Sequence, residues 1–192
     1  MEKVVTRIAP SPTGHLHIGT VRTALYNFLF AQKHGGTFIV RSEDTDRARS
    51  TRAYEEEILA GLSWLGIKAD AFYRQSERTE IYKKYLEKLI ASDKAYISKE
   101  DPTSGGKEAN RRSEVIRFRN PGGKVTFNDL VRGEITFDVT ELGDFVIAKS
   151  LEEPLYHLAV VVDDIDMGIT HIIRGDDHIS NTPRQILLTE AL

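Results

Sequence analysis

The amino-terminal part of the sequence alternates between short β-rich stretches and one helical stretch, and this pattern constrains the fold more than any other feature. Residues 4–9 are rich in β-formers, and the prolines and glycine within 10–14 interrupt them. From Ile18 onward apolar side chains recur at helical spacing until the glycine pair 35–36, and residues 37–41 are again apolar. Strand, helix and strand in this order predict a βαβ unit with two parallel strands. The apolar positions that recur along this helix are Ile18, Val21, Leu25, Phe28 and Leu29.

Further along, the pattern predicts two more helices and then a change of structure. The second helix carries an apolar stripe that stops at Gly66, and the third spans about residues 77–92. Residues 101–110 are polar and rich in glycine. Three short alternating runs follow, at 115–118, 125–127 and 135–139. The Pro-Gly-Gly sequence at 121–123 predicts a hairpin turn between the first two runs.

From about residue 155 the alternation of strand and helix resumes. Residues 170–174 predict a buried strand, and residues 183–192 predict a helix with Thr182 as its N-cap and Pro183 in its first position. The helical pattern runs to Leu192 without a terminating signal, so we expect a fragment of a longer protein. The sequence therefore predicts an α/β fold that is interrupted by a small antiparallel insertion.

Composition favours a globular protein without disulfides. Hydrophobic residues make up 40% and charged residues 29% of 192 residues, which is enough for a buried core in one domain with an inserted subdomain. The absence of cysteine excludes disulfides and cysteine-ligated zinc. No apolar run is long enough to cross a membrane and no signal peptide is recognisable, so we expect a cytoplasmic protein without membrane contact.

The net charge of −3 does not indicate a strongly basic nucleic-acid binder, so RNA contact would require local basic patches. Acidic residues are interspersed in both candidate patches, and on charge alone a solvated surface of mixed charge is favoured. The first patch is Arg41, Arg47, Arg49 and Arg52, and the second is Lys107, Arg111, Arg112, Arg117, Arg119 and Lys124.

Residues 7–20, RIAPSPTGHLHIGT, are the most informative segment for function. A strand end leads through a rigid Pro-Ser-Pro turn to a helix amino terminus, whose unpaired N–H groups and partial positive charge favour phosphate. His17 adds donor capacity, and Gly19 leaves room for a flat adenine or ribose against the backbone. His-x-Gly alone is a weak signal, but its place between a strand and a helix start strengthens it.

This segment resembles a signature of class I aminoacyl-tRNA synthetases, known as HIGH, which is HIGT at 17–20 here. The wider segment 7–20 is similar to the glutamyl branch of that class. Three further segments resemble the same branch in the same order, and together they span nearly the whole chain. They are FIVRSEDTDR at 38–47, YHLAVVVDD at 156–164 and RGDDHISNTPRQ at 174–185.

The resemblance implies a Rossmann-like parallel sheet interrupted by an α+β antiparallel insertion that binds the tRNA acceptor stem. The expected division is 1–96 for the first half of the catalytic domain, 97–149 for the insertion and 150–192 for the start of the second half. This agrees with the α/β, antiparallel, α/β order that the patterns predict on their own.

The resemblance also assigns residues to glutamate, ATP and catalysis. Arg7 matches the arginine that holds a glutamate carboxylate, and Glu43 matches the acid that receives the ammonium group. The glutamate positions are Arg7, Ala9, Ser11, Glu43, Tyr156 and Arg174. The ATP positions are His17, Gly19, Asp177 and His178, and the catalytic positions are His17, Gly19 and Thr20.

The charges of the substrate fit these assignments. Glutamate has two carboxylates and one ammonium group, and arginine binds a carboxylate through two parallel hydrogen bonds. A buried arginine would disfavour glutamine, because a neutral amide leaves its charge poorly compensated. Without the resemblance, Arg7 would be interpreted as a surface arginine at a strand end and Glu43 as a capping or salt-bridging acid. Asp163 and Asp164 are interpreted as turn or capping residues without a catalytic role.

Several positions depart from the family pattern. Thr20 replaces the final histidine of HIGH, Val160 stands where some relatives have asparagine, and Asp176 stands where glutamate is usual. The insertion lacks the cysteine cluster that binds zinc in some relatives, so no zinc and no other protein-held metal is expected. The second ATP signature, a Lys-Met-Ser-Lys-type loop, is absent and would follow Leu192. We therefore expect this chain alone to be inactive or nearly so.

The resemblance implies a monomeric glutamate–tRNA ligase whose partners are glutamate, ATP with Mg²⁺ and the acceptor end of tRNA(Glu). The alternatives from the same class are a glutaminyl synthetase and an enzyme that glutamylates a modified tRNA base. Two other hypotheses are a nucleotide- or RNA-binding module without catalysis and another nucleotidyltransferase with the His-x-Gly helix start.

Overall fold

The computed structural model describes residues 3–99 and 114–192, which form two compact units. The parallel-sheet unit contains the chain up to Arg78 and the segment Asp164–His178. The antiparallel-sheet unit contains Thr79–Asp163 and Ile179–Leu192. The mixture of a parallel sheet and antiparallel sheets confirms the predicted fold class.

The parallel-sheet unit has three parallel strands in the order β1-β2-β3, with helices between them. Its elements are β1 (Val5–Ile8), α1 (Ile18–Lys33), β2 (Thr37–Ser42), α2 (Arg52–Trp64) and β3 (Ala71–Arg74), followed by a 3₁₀ turn at Gln75–Glu77. The predicted βαβ unit is confirmed. Strand β3 was not predicted, because it has only four residues, which are too few to show a period although Phe72 and Tyr73 favour strands.

One face of this sheet packs against helices α1 and α2. Its apolar core consists of Ile8, Phe38 and Val40 from the strands with Ala24, Ala31, Ile58, Leu62 and Ile67. The apolar stripe expected for α1 is partly wrong, because Leu25 and Leu29 are exposed and Phe28 is only half-buried. The buried face of α1 runs through Ala24, Asn27 and Ala31 instead. Small alanine side chains let the helix backbone approach the sheet closely.

The turn from α1 into β2 requires glycine for a steric reason. Gly35 has a φ of +60°, which favours glycine, and Gly36 lies against the backbone of Val4. A Cβ at Gly36 would lie 2.3 Å from the carbonyl oxygen of Val4. The glycine pair therefore ends the helix, as predicted, and also lets the chain enter β2 beside β1.

The antiparallel-sheet unit surrounds the larger apolar core of the described residues. Its elements are α3 (Thr79–Ala91), β4 (Ala95–Lys99), β5 (Glu114–Phe118), β6 (Lys124–Asp129), β7 (Gly133–Asp138), β8 (Phe145–Ser150), β9 (Glu153–Pro154), α4 (Tyr156–Asp166) and α5 (Thr182–Ala191). Helix α4 ends with three residues that belong to the parallel-sheet unit. The strands form a four-stranded sheet, β4-β5-β8-β9, and a separate hairpin, β6-β7.

The predicted hairpin at Pro121–Gly123 is wrong. Strand β5 pairs with β4 and β8, whereas β6 pairs with β7. Gly122 and Gly123 do have positive φ values, 71° and 86°, so the turn signal was real. The chain turns there to leave one sheet and enter another, which a local turn signal cannot distinguish from a hairpin.

The buried strand predicted at 170–174 is also wrong. The segment lies beside β1, with the backbone N–H groups of Thr170 and His171 donating to the Val5 carbonyl oxygen. The N–H of Val5 donates to the Thr170 side-chain hydroxyl at 2.8 Å, so a side chain takes the place of a backbone ladder partner. Ile172 is 50% exposed. Helix α5 is present as predicted, but its N-cap is Asn181 and Thr182 is its first residue.

Candidate active site

The two arginines Arg7 and Arg41 share one face of the parallel sheet. Arg7 is paired in register with Ile39, and side chains alternate along a strand, so Arg7, Ile39 and Arg41 lie on one face. The apolar core with α1 and α2 occupies the other face. Arg7 is 5% exposed and Arg41 is fully buried. Two buried guanidinium groups on one face require anionic partners.

Asp164 supplies an anion to both arginines. Arg7 donates from Nε to Asp164 Oδ1 at 3.0 Å and from Nη2 to Oδ2 at 3.2 Å. Arg41 donates from Nη1 to Asp164 Oδ1 at 2.7 Å. The Asp164 side chain lies in the last turn of α4 and is 11% exposed. Paired guanidinium–carboxylate bonds of this kind are among the stronger hydrogen bonds in proteins.

Glu43 completes this group at the carboxyl end of β2. Arg41 Nη2 donates to Glu43 Oε1 at 3.3 Å. The four side chains therefore form a row of alternating charge in the order Arg7, Asp164, Arg41 and Glu43, which we call the charge cluster. The resemblance assigns Arg7 and Glu43 to the same substrate, and the structure brings the two side chains into this one cluster.

The two acids of the charge cluster differ in their electrostatics. Burial raises the pKa of Glu43 to about 7, although the Arg41 and Arg7 guanidiniums oppose this. Burial also acts to raise the pKa of Asp164, but the charges and hydrogen bonds of Arg7 and Arg41 outweigh it, so that pKa lies below its usual value. Asp164 is therefore an ion in two salt bridges, whereas Glu43 has one longer bond and changes its charge near neutral pH.

The turn after β1 is held beside the segment after β2. The N–H of Glu43 donates to the carbonyl oxygen of Pro10 at 3.0 Å, and the N–H of Thr51 donates to that of Pro12 at 3.0 Å. Ala9 and Ser11 lie in this turn, so both follow the carboxyl end of β1. The carboxyl ends of parallel strands are the usual ligand-binding edge of an α/β sheet.

His17 caps the amino terminus of α1. Its Nδ1 accepts from the Gly19 N–H at 3.2 Å, and its Nε2 lies 3.1 Å from Thr20 Oγ1. In the neutral ring Nε2 then carries the proton and donates to the Thr20 hydroxyl. A Cβ at Gly19 would lie 3.0 Å from Cε1 and Nδ1 of the His17 ring. Glycine at this position therefore has a local reason, close contact with the imidazole.

Arg174, Asp177 and His178 follow the segment that lies beside β1. This segment is anchored by Asn27, whose Nδ2 donates to the Ile173 carbonyl oxygen at 2.9 Å. Arg174 is half-buried, while the Asp177 and His178 side chains are 80% and 43% exposed. The role of Asn27 was not predicted, although a polar residue among the apolar positions of α1 was a visible signal.

Tyr156 lies in the antiparallel-sheet unit, at the first residue of α4, and is 39% exposed. Its ring contacts that of His157, with a centroid distance of 5.2 Å. At this exposure Tyr156 is not a core residue.

The two candidate basic patches contain arginines that are paired with acids, which fits the favoured interpretation of a mixed-charge surface, and Arg41 is the exception. Arg41 is fully buried in the charge cluster, so it does not belong to a surface patch. Arg49 pairs with Asp46, and Arg52 pairs with Glu55. In the second patch, residues 107, 111 and 112 lie outside the described residues. Arg117 donates to the Asp144 carbonyl oxygen, Arg119 pairs with Asp93, and Lys124 begins β6.

The sequence matches the family model described as tRNA synthetases class I (E and Q), catalytic domain, over residues 3–104 and 103–192. A phosphate-favouring helix start and a charge cluster at the end of parallel strands are consistent with that class. The chain therefore belongs to the family of class I tRNA synthetases for glutamate and glutamine.

The individual relatives are named as glutamate–tRNA ligases. The chain is 47% identical to one from Hydrogenobaculum sp. (strain Y04AAS1), covering 98% of this chain and 47% of the relative. It is 50% identical to one from Coxiella burnetii (strain RSA 331 / Henzerling II), covering 100% of this chain and 46% of the relative. The chain thus spans about half the length of these relatives.

Solved structures agree with these similarities. The glutamate tRNA ligase of Elizabethkingia meningosepticum, in complex with its amino acid, has a TM-score of 0.89 and is 36% identical, covering 99% of this chain and 47% of that chain. A putative arginyl-tRNA synthetase from Campylobacter jejuni has a TM-score of 0.60 at 15% identity, which supports the fold alone. Within residues 3–99 and 114–192, no helix has the length and apolar character needed to cross a membrane.

Proposed function

We propose that this protein acts as a glutamate–tRNA ligase, which activates glutamate with ATP and transfers it to the 3′ end of tRNA. The observation that carries the proposal is the charge cluster, in which Arg7 at one end and Glu43 at the other are joined by buried ionic contacts. A free amino acid has a carboxylate and an ammonium group, which are complementary to these two ends. The names of the relatives favour glutamate over other amino acids.

The first step would be attack of the glutamate α-carboxylate on the α-phosphorus of ATP, with pyrophosphate leaving. In the second step a ribose hydroxyl of the terminal tRNA nucleotide would attack the activated carbonyl, and AMP would leave. Neither step requires a nucleophile from the protein. Holding two reactants in the correct geometry can lower a barrier by about 7–11 kcal/mol, so positioning is the main task of the site.

The helix start at residues 17–20 is the proposed phosphate contact. The first turn of α1 contains no acidic residue, so no carboxylate there competes with phosphate for the helix terminus. Nε2 of His17 and the hydroxyl of Thr20 are within hydrogen-bonding distance of each other and are both able to donate to an anion. Asp177 and His178, both partly exposed, remain the proposed positions near the adenosine.

Mg²⁺ is proposed to enter together with ATP. Within residues 3–99 and 114–192, no cluster of three His, Asp or Glu side chains is placed to hold a metal ion. Magnesium usually retains several waters and binds through substrate phosphates rather than in a cage of protein side chains, so the site requires no such cluster. The ion would add positive charge near the phosphates.

The remaining assignments are part of the same proposal. Residues 97–149 would contact the tRNA acceptor stem as an insertion between 1–96 and 150–192, the two parts of the catalytic domain. Ala9, Ser11, Tyr156 and Arg174 are the remaining proposed contacts to glutamate. A monomeric state and a cytoplasmic location remain predictions.

The test is ligand binding by the chain and its Arg7→Ala variant. We expect thermal stabilisation of the wild-type chain by glutamate and by a non-hydrolysable glutamyl-adenylate analogue, and a smaller response to glutamine. Arg7→Ala should lose the glutamate response while circular dichroism shows a retained fold. Arg22→Ala, which removes an exposed arginine of α1, is the matched control and should respond like the wild type.

Two results would contradict this proposal. An unchanged glutamate response in Arg7→Ala would show that Arg7 does not hold the substrate carboxylate. Equal or stronger stabilisation by glutamine would favour a glutaminyl synthetase, the other specificity of the matched family.

A further inference from the structure

Asp164 contacts both arginines of the charge cluster but matched no substrate-binding position. It occupies one side of the Arg7 guanidinium, the side formed by Nε and Nη2. Among the described residues, the remaining terminal nitrogen of Arg7, Nη1, has no hydrogen-bond partner. The orientation of Arg7 is therefore fixed from one side, and its other end is left for a ligand carboxylate.

Arg41 connects this contact to Glu43. It donates from Nη1 to Asp164 and from Nη2 to Glu43, and it is fully buried. A side chain without solvent exposure does not reach a ligand that enters from solvent. Arg41 is therefore an internal connection between the two carboxylates rather than a ligand contact.

We infer that Asp164 is a positioning residue for the amino acid substrate, which fixes Arg7 to receive a carboxylate and, through Arg41, sets Glu43 to receive the ammonium group. This inference rests on the proposed function. The substrate would bind between the two ends of the row, so that its carboxylate faces Arg7 and its ammonium faces Glu43. The alternation of charge would then continue through the ligand.

The balance of charge explains why the carboxylate at position 164 matters. The cluster has two guanidiniums and two acids, and Asp164 is the acid that lies between the guanidiniums. Without its charge, Arg7 and Arg41 would repel each other across a buried space. Glu43 would then be the remaining anion and would be drawn toward the arginines instead of being available to the substrate ammonium.

The same contacts predict a coupling between Asp164 and the titration of Glu43. The charged groups that act on Glu43 are Arg41 on β2, Arg7 on β1 and Asp164 on α4. The negative charge of Asp164 raises the pKa of Glu43. Neutralising Asp164 should therefore lower that pKa and extend ionised Glu43 to lower pH.

The experiment compares Asp164→Asn with Asp166→Asn in this chain, using calorimetric titration with L-glutamate. Asp166 is the matched control, because it lies on the same helix and pairs with a different arginine, Arg78, at 2.6 Å. We expect Asp164→Asn to weaken glutamate binding by about tenfold or more and Asp166→Asn to leave it unchanged. Binding of ATP should be the same in all three proteins.

Asp164→Glu is the second variant and separates position from charge. It keeps the negative charge but moves the carboxylate by one methylene, so a positioning role predicts intermediate affinity for glutamate. A ¹³C NMR titration of the Glu43 carboxyl group adds a measurement that does not require ligand. Its midpoint should move to lower pH in Asp164→Asn and stay unchanged in Asp166→Asn.

The outcomes separate this inference from the proposed function. If the wild-type chain does not bind glutamate, the proposed function fails and the inference fails with it. If the wild-type chain binds glutamate and both Asp164 variants bind it as tightly as the wild type does, the inference alone is overturned. An unchanged Glu43 midpoint in Asp164→Asn would also overturn it.

Discussion

The two units of this protein bury different kinds of side chain. Among the described residues, the buried polar or charged residues of the parallel-sheet unit are Thr6, Arg7, Asn27, Arg41, Ser42, Glu55, Gln75 and Arg78, whereas those of the antiparallel-sheet unit are Asp163 and Gln185. The core of the antiparallel-sheet unit is otherwise built from apolar side chains around α3, β5, β8 and α4. In the described part of the chain, the antiparallel-sheet unit thus buries one acidic side chain in a largely apolar core, whereas the parallel-sheet unit buries three arginines and a glutamate.

This difference follows from how each sheet is used. The apolar face of the parallel sheet already packs on α1 and α2, so its second face is available for Arg7 and Arg41. Buried ion pairs contribute little net stability, because the loss of hydration offsets their attraction. Their presence is better explained by ligand recognition than by folding, which is why we propose that the charged part of the site lies in the parallel-sheet unit.

The strongest test of this comparison is Phe118→Ala in the antiparallel-sheet unit. Phe118 is 2% exposed on β5, and its ring centroid is 5.3 Å from that of Phe145. Removing a buried phenylalanine ring should lower the free energy of unfolding by about 3–5 kcal/mol. The measurement is urea unfolding followed by circular dichroism.

Phe127→Ala provides the control for this change. Phe127 is half-buried in the β6-β7 hairpin and stacks on Phe137 at a centroid distance of 6.3 Å. Its loss should cost clearly less than the loss of Phe118. Equal costs would mean that the apolar core is not what distinguishes this unit.

The second prediction concerns buried acids of the parallel-sheet unit and uses Glu43→Gln. Because the pKa of Glu43 is raised to about 7 from its usual 4.5, ionising it in the folded state costs stability. This cost is absent below about pH 4.5, grows as the pH rises and is complete above about pH 7. At about pH 8 the variant should be more stable than the wild type by about 3 kcal/mol. Urea unfolding between pH 4.5 and pH 8 measures the difference, which should vanish at the acid end.

Glu55→Gln is the matched control, because its expected effect has the opposite sign. Burial acts to raise the pKa of Glu55, but the hydrogen bonds from Arg52 and Arg74 and the charge of Arg74 hold it below its usual value. Its stabilising contribution is present above its usual pKa and is lost as the pH falls through the lowered value. The variant should therefore be less stable than the wild type at neutral pH. If both substitutions lower the free energy of unfolding at about pH 8, the ionised Glu43 carboxylate is stabilised by its arginine partners, as that of Glu55 is, and the prediction is wrong.

Local patterns predicted much of the fold. The structure contains the elements that three local patterns indicated: the helical spacing of apolar residues in α1 and α2, the glycine pair 35–36 after α1, and the alternation in β5 to β7. Each of these patterns depends only on residues that are neighbours in the sequence. Strand pairing was predicted less well. One of the two partners of β5 is β8, which is distant in the sequence, and nothing in the turn at 121–123 indicates this pairing.

The residues of the candidate site were likewise predicted where a local motif marks them and missed where only the three-dimensional fold brings them together. Arg7, Glu43 and the helix start at 17–20 were identified from motifs, and the structure brings Arg7 and Glu43 into one cluster. Asp164 and Arg41 were misinterpreted, one as a turn or capping residue and the other as part of a solvated surface of mixed charge. Their positions depend on the packing of β1, β2 and the last three residues of α4 within the parallel-sheet unit, and an Arg or Asp in the sequence does not reveal its burial.

The smallest expected effect belongs to Asn27→Ala, which compares polar bridges in the two units. Asn27 Nδ2 donates to the carbonyl oxygen of Ile173, one residue before Arg174, and in the antiparallel-sheet unit Asn120 Nδ2 makes a similar bridge to Val139 at 2.6 Å. Each substitution leaves a carbonyl group without this donor and should cost about 1–2 kcal/mol in urea unfolding. Asn27→Ala should in addition weaken glutamate binding in calorimetric titration, because the segment that carries Arg174 loses its anchor to α1, whereas Asn120→Ala should leave binding unchanged. If both variants bind glutamate like the wild type, Arg174 does not depend on this anchor. Asn27 would then only join α1 to the segment beside β1, and the buried polar groups of the parallel-sheet unit would not all serve the ligand.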